Sequence, residues 1–289
     1  MSDPLAPERL APPTPGQLRR LLGSEGLRPR KSLSQNFLTD AATLDTIVDA
    51  AELQPGDRVV EIGPGLGVLT RRLLAAGASV LSVELDARLA AYLRRELDGV
   101  EGFELIEADA LDLHPREMFA GEGFKVVANI PYHITSPLLH AFLEGDRPPE
   151  LTVLLVQAEV ADRVAAPPGQ MSYLSVFVQN VVSAEVVARV PAHAFEPAPA
   201  VDSAILRLRR RQDPAVPPGP GREPFYRIVQ AGFRQRRKQI HNGLGRELQL
   251  DRDALEAALE ACNITPDRRP QTLSVDEWAQ LSYRLAPGL

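Results

Sequence analysis

The sequence lacks the features of secreted, membrane and zinc-binding proteins. It has one cysteine, Cys262, so an intrachain disulfide is excluded. Its five histidines are scattered and no Cys-x-x-Cys pair occurs, so we expect no metal site. No apolar run approaches the roughly 18–20 residues of a membrane span. The first residues also lack the basic-then-apolar order of a secretory signal. These absences favour a cytoplasmic protein with no membrane partner.

Aromatic residues are scarce as well, at 5% of the 289 residues, and lysine occurs three times against 29 arginines. Hydrophobic residues make up 44% and charged residues 24%, which excludes collagen, coiled-coil and wholly disordered chains. The net charge of −6 is unevenly spread, since residues 206–250 hold 11 basic and 3 acidic residues. A basic block on an acidic protein indicates a polyanionic partner such as nucleic acid. A solvated linker face is the alternative interpretation.

Strand and helix patterns alternate along most of the chain. Short apolar, β-branched runs predict strands at 58–62, 79–84, 103–108, 125–129 and 151–156, with further strands at 185–190 and 203–209. Helical spacing of apolar residues occurs at 16–23, 39–53, 68–76, 87–97 and 137–143. Alternating strands and helices predict an α/β fold with a doubly wound, parallel, Rossmann-like sheet.

Proline and helical patterns divide the chain into four segments. The predicted segments are a proline-rich disordered tail (1–15), the α/β domain (16–210), a Pro/Gly linker (211–222) and a small helical domain (223–289). The helical domain has apolar periodicity at 223–240, 251–262 and 274–285.

The segment Glu61-Ile-Gly-Pro-Gly-Leu-Gly67 lies between a predicted strand and a predicted helix. Glycines let a backbone approach a ligand and place N–H groups at a helix N-terminus. Val68 breaks the dinucleotide fingerprint, and no Gly-Lys-Ser/Thr follows to make a P-loop. Glu84 and Asp109 end the next two strands, where they can accept ribose hydroxyls and an exocyclic amine. A nucleoside site without phosphate-binding cations fits S-adenosylmethionine. Its predicted residues are Glu61, Gly63, Gly65, Glu84 and Asp109.

Asn129-Ile-Pro-Tyr132 ends the fourth strand of this domain. The exocyclic amine of adenine is a poor nucleophile, because its lone pair is delocalised into the ring. The Asn129 side-chain oxygen and the next backbone carbonyl can each accept one of its N–H groups, and Tyr132 can stack on an extracted base. A turn built by Asn and Pro is the alternative. Beside a methyl-donor site, the motif favours adenine methylation.

With these motifs, the chain resembles the ribosomal RNA adenine dimethyltransferases of the bacterial small-subunit type. The resemblance covers most of the sequence. Its motifs are Ser34-Gln-Asn-Phe-Leu38, Glu61–Gly67, Val83-Glu84, Asp109, Asn129–Tyr132, Gln157–Arg163, Tyr173–Val176, Phe195–Ser203 and Phe233-Arg-Gln-Arg-Arg-Lys238.

The resemblance implies an enzyme that uses S-adenosylmethionine to methylate two adjacent adenines, twice each. The adenines lie in a hairpin loop near the 3′ end of small-subunit rRNA, in a precursor particle. The implied donor contacts are Asn36, Leu38, Gly63, Glu84, Asp109 and Asn129. The implied base-side residues are Asn129, Pro131 and Tyr132, with Phe195 as a second stacking face.

Two basic groups are predicted to contact the rRNA backbone, which positions RNA without reading its sequence. The first is Arg207, Arg209, Arg210 and Arg211, and the second is Arg234, Arg236, Arg237 and Lys238. We expect Arg234, Arg237 and Lys238 to share one helix face. No exposed heptad or apolar strip is evident, which favours a monomer.

The sequence leaves two other functions open. One is a large-subunit rRNA adenine methyltransferase of the macrolide-resistance type, which shares the donor and Asn-x-Pro-Tyr motifs. The segments Phe233–Lys238 and Arg268–Ser274 look like the small-subunit type instead. The other is a non-catalytic assembly or transcription factor on the same scaffold, against which the intact Glu84, Asp109 and Asn129 argue.

Overall fold

A computed structural model describes residues 9–24, 26–30, 33, 35–113, 123–145 and 147–286. Residues 1–8 of the predicted tail and Ser34 of the first motif lie outside these residues. The strands are Phe37–Leu38 (β1), Arg58–Ile62 (β2), Ser79–Glu84 (β3), Phe103–Glu107 (β4), Lys125–Asn129 (β5), Leu151–Gln157 (β6), Val182–Val190 (β7), Phe195–Glu196 (β8) and Ser203–Arg210 (β9).

The α-helices follow the predicted apolar spacing closely in the first half of the chain. They are Pro15–Ser24 (α1), Ala41–Ala50 (α2), Val68–Ala75 (α3), Ala87–Leu97 (α4), Thr135–Leu143 (α5), Ala158–Val164 (α6), Tyr173–Val181 (α7), Arg222–Arg234 (α8), Ile240–Leu248 (α9), Arg252–Ala261 (α10) and Val275–Leu285 (α11). Asp40 caps α2 by accepting the Thr43 N–H at 2.8 Å, as expected of an N-cap side chain. Sequence patterns did not predict α6 and α7.

Seven strands form one sheet in the order β4-β3-β2-β5-β6-β9-β7. The four pairs from β4 to β6 are parallel, which confirms the predicted α/β fold. The sheet is mixed rather than wholly parallel, because β9 runs antiparallel to β6. The strand order reverses between β2 and β5, so a topological switch point lies at the carboxyl ends of these strands.

The chain divides into two compact units, each with its own core. One comprises residues 1–161 and 185–209, and the other comprises 162–184 and 210–289. The second unit therefore takes in α7, which contacts α8 and α11, and Trp278 and Phe225 are fully buried in its core. No helix among the described residues has the length and apolar character needed to cross a membrane.

The predicted helix at 223–240 is wrong, because α8 ends at Arg234 and α9 begins at Ile240. A turn lies between them, in which the Lys238 N–H donates to the Gln235 carbonyl at 2.8 Å. The Gln235 side chain donates to Glu247 at 3.0 Å and holds the turn against α9. Arg237 and Lys238 therefore do not share a helix face with Arg234.

Two proline-rich segments are better packed than predicted. Arg9, in the predicted disordered tail, donates through Nη2 to the Glu96 carbonyl at 2.8 Å. In the predicted linker, Val216 is buried and exchanges hydrogen bonds with the Asn180 side chain of α7, at 2.8 and 3.2 Å. Parts of both segments thus have fixed partners within their own units.

Candidate active site

A cavity opens at the carboxyl ends of β2 and β5, where open α/β sheets bind their ligands. Its wall combines the segment around β1, the loop after β2, the end of β3 and the segment after β5. Ten of the predicted site residues line it: Asn36, Leu38, Glu61, Gly63, Gly65, Glu84, Asp109, Asn129, Pro131 and Tyr132. The fold therefore gathers one site from separate stretches of the sequence.

The loop after β2 adopts a backbone that favours glycine. Gly63, Gly65 and Gly67 have φ of 66°, 60° and 72°, a region that other residues rarely enter. A Cβ on Gly65 would lie 3.1 Å from the Phe37 ring, and one on Gly63 would lie 3.8 Å from the Asn129 carbonyl oxygen. The loop therefore passes close to both neighbouring walls of the cavity.

Glu84 ends β3 with only 5% of its surface exposed. Its Oε2 accepts the Gly65 N–H at 3.1 Å, and its Oε1 accepts the Asp86 N–H at 2.9 Å. Burial raises the pKa of Glu84, and these two backbone donors oppose the rise. Because each carboxylate oxygen has two acceptor sites, Glu84 can fix the loop and still accept two ribose hydroxyls.

Glu61 lines the cavity but is bonded from within the protein. Its Oε2 accepts the Thr70 hydroxyl at 2.6 Å and the Ser82 hydroxyl at 2.8 Å. Burial raises the pKa of Glu61 to about 7, and the negative charge of Glu84 adds to the rise. The carboxyl ties β2 to β3 and α3, while its predicted donor contact stays a prediction.

The charge of the cavity matches a cationic nucleoside. Asp109 uses Oδ1 to cap the 3-10 turn after β4, accepting the Leu111 N–H at 2.9 Å, and is only partly buried. With Glu61 and Glu84 it gives the wall three acidic side chains, and among the described lining residues there is no lysine or arginine. Such a wall fits S-adenosylmethionine, which carries a positive sulfonium and no phosphate.

Asn129 ends β5 beside the glycine loop. Its Nδ2 donates to the Asn36 carbonyl at 3.2 Å. This bond uses one of the two N–H donors of the amide and leaves Oδ1 as an acceptor. Asn36 therefore orients Asn129 as well as lining the cavity, a contact that the sequence did not indicate.

Tyr132 begins a 3-10 turn, and its hydroxyl bonds Ser203 Oγ at 2.6 Å. Ser203 is fully buried at the start of β9. Burial raises the pKa of Tyr132 and the Ser203 bond opposes the rise, so the phenol is neutral at physiological pH. The bond fixes the direction of the ring on the cavity wall.

Phe195 is not among the residues that line the cavity in the described chain. It pairs with Leu38 in the β1–β8 ladder, and its ring lies in the hydrophobic core with 3% exposure. The structure thus joins Phe195 to the N-terminal motif through backbone pairing. Its stacking role stays a prediction.

Asp86 and Gln35 support the site, although neither is a predicted site residue. Asp86 caps α4 and accepts Gln35 Nε2 at 3.2 Å and Arg88 Nη2 at 2.7 Å. The Arg88 side chain holds the pKa of Asp86 at about 2. An acid just before a helical pattern is an N-cap signal, but nothing local shows that it binds Gln35.

The two predicted basic groups differ in their surroundings. Arg207 lies 2.7 Å from Glu185 and 3.1 Å from Glu52, and Arg209 lies 2.5 Å from Glu52. Arg236, Arg237 and Lys238 are exposed on the turn after α8. Of the others, Arg234 lies 3.5 Å from Glu247, Arg210 is exposed and Arg211 is half-buried.

A family model described as ribosomal RNA adenine dimethylase matches residues 26–286. A ribosomal RNA small subunit methyltransferase A of Moorella thermoacetica is 44% identical over 284 residues, which are 94% of this chain and 98% of that protein. The protein of the same name from Dehalococcoides mccartyi is 39% identical over 266 residues, covering 92% and 91%.

Solved structures agree with the observed fold. A 23S rRNA methyltransferase, ErmE, aligns with a TM-score of 0.71 at 36% identity, over 87% of this chain and all of that one. A dimethyladenosine transferase from Plasmodium falciparum aligns with a TM-score of 0.75 at 24% identity, over 87% and 98%. The second likeness concerns the fold alone.

Proposed function

Since the chain belongs to the ribosomal RNA adenine dimethylase family, it is an S-adenosylmethionine-dependent rRNA adenine dimethyltransferase, and we propose that it methylates two adjacent adenines of small-subunit rRNA, twice each. The adenines lie in a hairpin loop near the 3′ end of that RNA. The proposal takes this RNA as substrate because curated relatives matching more than 90% of the chain are named for the small subunit.

The placement of Asn129 carries this proposal. It ends β5 at the switch point, next to Gly63, and its amide nitrogen is already bonded to Asn36. Oδ1 and the Ile130 carbonyl can therefore accept the two N6–H groups of an extruded adenine. That arrangement directs the nitrogen lone pair toward the methyl group, and positioning of this kind supplies several kcal/mol of barrier reduction, roughly 7–11 kcal/mol at most.

Neighbouring residues complete the proposed division of roles. Glu84 accepts the ribose hydroxyls, Asp109 accepts the adenine amine of the donor, and the glycine loop lets the donor approach the backbone. When bound, S-adenosylmethionine supplies an electrophilic methyl group on a sulfonium. Tyr132 and Pro131 hold the target base, with the Tyr132 ring oriented by Ser203.

The small-subunit assignment also draws on the segment Arg268–Ser274. Arg268 donates to the Thr272 carbonyl at 2.5 Å and forms an ion pair with Glu277. Ser274 and Glu277 form a capping box at the start of α11. The motif, which resembles the small-subunit type in sequence, therefore builds the entry to the last helix.

The helical region 223–289 is proposed to bind the rRNA backbone through Arg236, Arg237 and Lys238. Lysine and arginine contacts with phosphate release counterions, so binding should fall steeply with salt. The proposed substrate is the precursor small ribosomal particle. The protein is proposed to act on it as a monomer, in the cytoplasm. Arg207, Arg209, Arg210, Arg211 and Arg234 are proposed as secondary contacts.

Methyl transfer from labelled S-adenosylmethionine tests this proposal. The acceptors are small ribosomal particles lacking the adenine marks, free small-subunit rRNA and large ribosomal particles, with the modified bases mapped. Label in two adjacent adenines of the small particle alone supports the proposal. Label in large-subunit RNA would move the chain to the large-subunit type. Tight binding to small particles without label would favour an assembly factor.

A further inference from the structure

Arg71 is a buried arginine on α3, the helix that follows the glycine loop, and none of the roles above uses it. Only 4% of its surface is exposed. Its Nη1 donates to the carbonyl oxygens of Leu66 and Gly67, at 3.0 and 3.1 Å, and its Nη2 lies 3.9 Å from Glu96 Oε2 on α4. The guanidinium thus joins the end of the loop to a neighbouring helix.

The third loop glycine makes room for this side chain. A Cβ on Gly67 would lie 2.7 Å from Arg71 Nη1 and 2.8 Å from Leu93 Cδ2. Both distances are shorter than a carbon side chain tolerates. A Cβ at position 67 would therefore displace the ends of the Arg71 and Leu93 side chains, and the φ of 72° also favours glycine there.

The N-terminal segment fixes Arg71 from its other edge. Arg71 Nε donates to the Arg9 carbonyl at 2.9 Å, and Arg9 in turn donates through Nε and Nη2 to the Glu96 carbonyl, at 3.1 and 2.8 Å. Leu10 packs against the core of the same unit, and Pro12 and Tyr92 help to line a recess beside Arg71. A buried charge held by carbonyls on two sides has few alternative positions.

These bonds bear on the donor cavity through peptide geometry. A trans peptide points its carbonyl and its N–H to opposite sides. Holding the Gly67 carbonyl toward Arg71 therefore sets the direction of the Val68 N–H, and Val68 lines the cavity. Arg71 also opposes the rise in the pKa of Glu61, which burial and Glu84 cause. Arg71 thus acts on the site without lining it.

We propose that Arg71 is a positioning residue for donor binding, which holds the end of the glycine loop in its binding conformation and is itself held by the N-terminal segment at Arg9. The proposal rests on the proposed donor site at that loop. It assigns residues 9–13 a part in donor affinity, although they lie outside the cavity.

Titration calorimetry with S-adenosylmethionine and steady-state methylation of small particles test this role. Arg71→Met should weaken donor binding and raise the donor KM about tenfold, since it removes charged hydrogen bonds to the loop. At saturating donor, kcat should stay within about twofold. The donor KM of Arg71→Lys should lie between those of wild type and Arg71→Met, because an ammonium can reach the loop carbonyls but not the Arg9 carbonyl as well.

Matched variants separate this role from general stability. Arg72→Met removes the next arginine of α3, which pairs with Asp45 at 3.3 Å, and should leave the donor KM unchanged. Arg9→Ala should raise it about two- to threefold, through loss of bonds to Glu96. Arg71→Lys and Arg9→Ala carry the test if Arg71→Met does not fold.

Unchanged donor affinity in Arg71→Met, or an equal rise in KM in Arg72→Met, would overturn the proposal. So would a fall in kcat with no change in KM. Glu84→Ala serves as the reference for the site itself. If Glu84→Ala binds donor as wild type does, the donor site is misassigned, whereas loss in Glu84→Ala without loss in Arg71→Met refutes only the role of Arg71.

Discussion

The donor region and the proposed RNA-binding turn are built in opposite ways. In the donor region Glu61, Glu84 and Asn129 are bonded to other parts of the protein. On the turn, Arg236 and Arg237 are exposed, and the described chain provides no hydrogen bond or ion pair to their side chains. Directional chemistry requires fixed acceptors, whereas attraction to phosphate depends mainly on charge.

The strand arginines fit neither pattern. Arg207 and Arg209 are partly exposed, yet both are paired with Glu52, and Arg207 also with Glu185. The Arg209 hydrogen bond lowers the pKa of Glu52, so that carboxylate is charged at neutral pH. Much of the local positive charge is therefore already compensated, and exposure by itself does not mark an RNA contact.

The largest expected effect is a loss in the rate of methyl transfer in Asn129→Ala. Removing the acceptor of one N6–H should lower the single-turnover rate about 1,000-fold, while binding to small particles stays within about twofold. Rates and particle affinities measured on the same preparation check this. Asn242→Ala, an exposed amide in the helical unit, is the matched control. Equal loss of rate and affinity would contradict the role given to Asn129.

The pH dependence of the stability of Glu61→Gln tests the buried donor region. The pKa of Glu61 rises from 4.5 to about 7 on folding, so the folded state binds the extra proton between these values. The carboxyl's contribution to stability is therefore full at low pH and is lost as pH rises through 7. The free energy of unfolding of Glu61→Gln, relative to that of wild type, should therefore increase by about 2–3 kcal/mol between pH 5 and pH 8.

Urea unfolding at several pH values measures this difference. The exposed Glu104→Gln is the control and should follow the wild-type profile. A constant difference between Glu61→Gln and wild type across the pH range would show that Glu61 does not titrate there.

Charge reversal sharpens the contrast between the two basic groups. Changing Arg236, Arg237 and Lys238 to Glu should weaken particle binding about 30-fold and lower the salt slope by about 2–3. Changing Arg207 and Arg209 to Gln should weaken binding only about two- to threefold, as expected of secondary contacts whose charge is already paired with Glu52 and Glu185. Filter binding at several salt concentrations, with melting temperatures as a folding check, distinguishes the groups. Equal losses of particle binding in the two sets of variants would contradict the proposed difference between the two basic groups.

The smallest effect concerns the Tyr132–Ser203 bond. Tyr132→Phe and Ser203→Ala should each lower kcat about fivefold, as one hydrogen bond is worth about 1 kcal/mol. The double variant should be no worse than either single one, because both remove the same bond. Tyr283→Phe, at an exposed tyrosine, should leave kcat unchanged. Additive losses would mean that the two residues act separately.

The sequence predicted the first half of the fold closely and the second half less well. Strands from Arg58–Ile62 to Lys125–Asn129 match their predicted ranges within a residue, because apolar alternation and glycine turns are local signals. The helix Tyr173–Val181 was missed, since its apolar residues also suit a buried strand. The break after Arg234 was missed because Gln235 contacts Glu247 on a later helix.

The sequence by itself determined the glycine loop, the acids at the strand ends and Asn129–Tyr132, because each depends on residue type beside a strand end. Only the tertiary structure decided which side chains are joined across the chain. It buried Phe195 through pairing with Leu38, paired Arg207 and Arg209 with Glu52, and set Arg71 between the loop and Arg9. Such contacts depend on sheet order and helix packing, which residue periodicity does not encode.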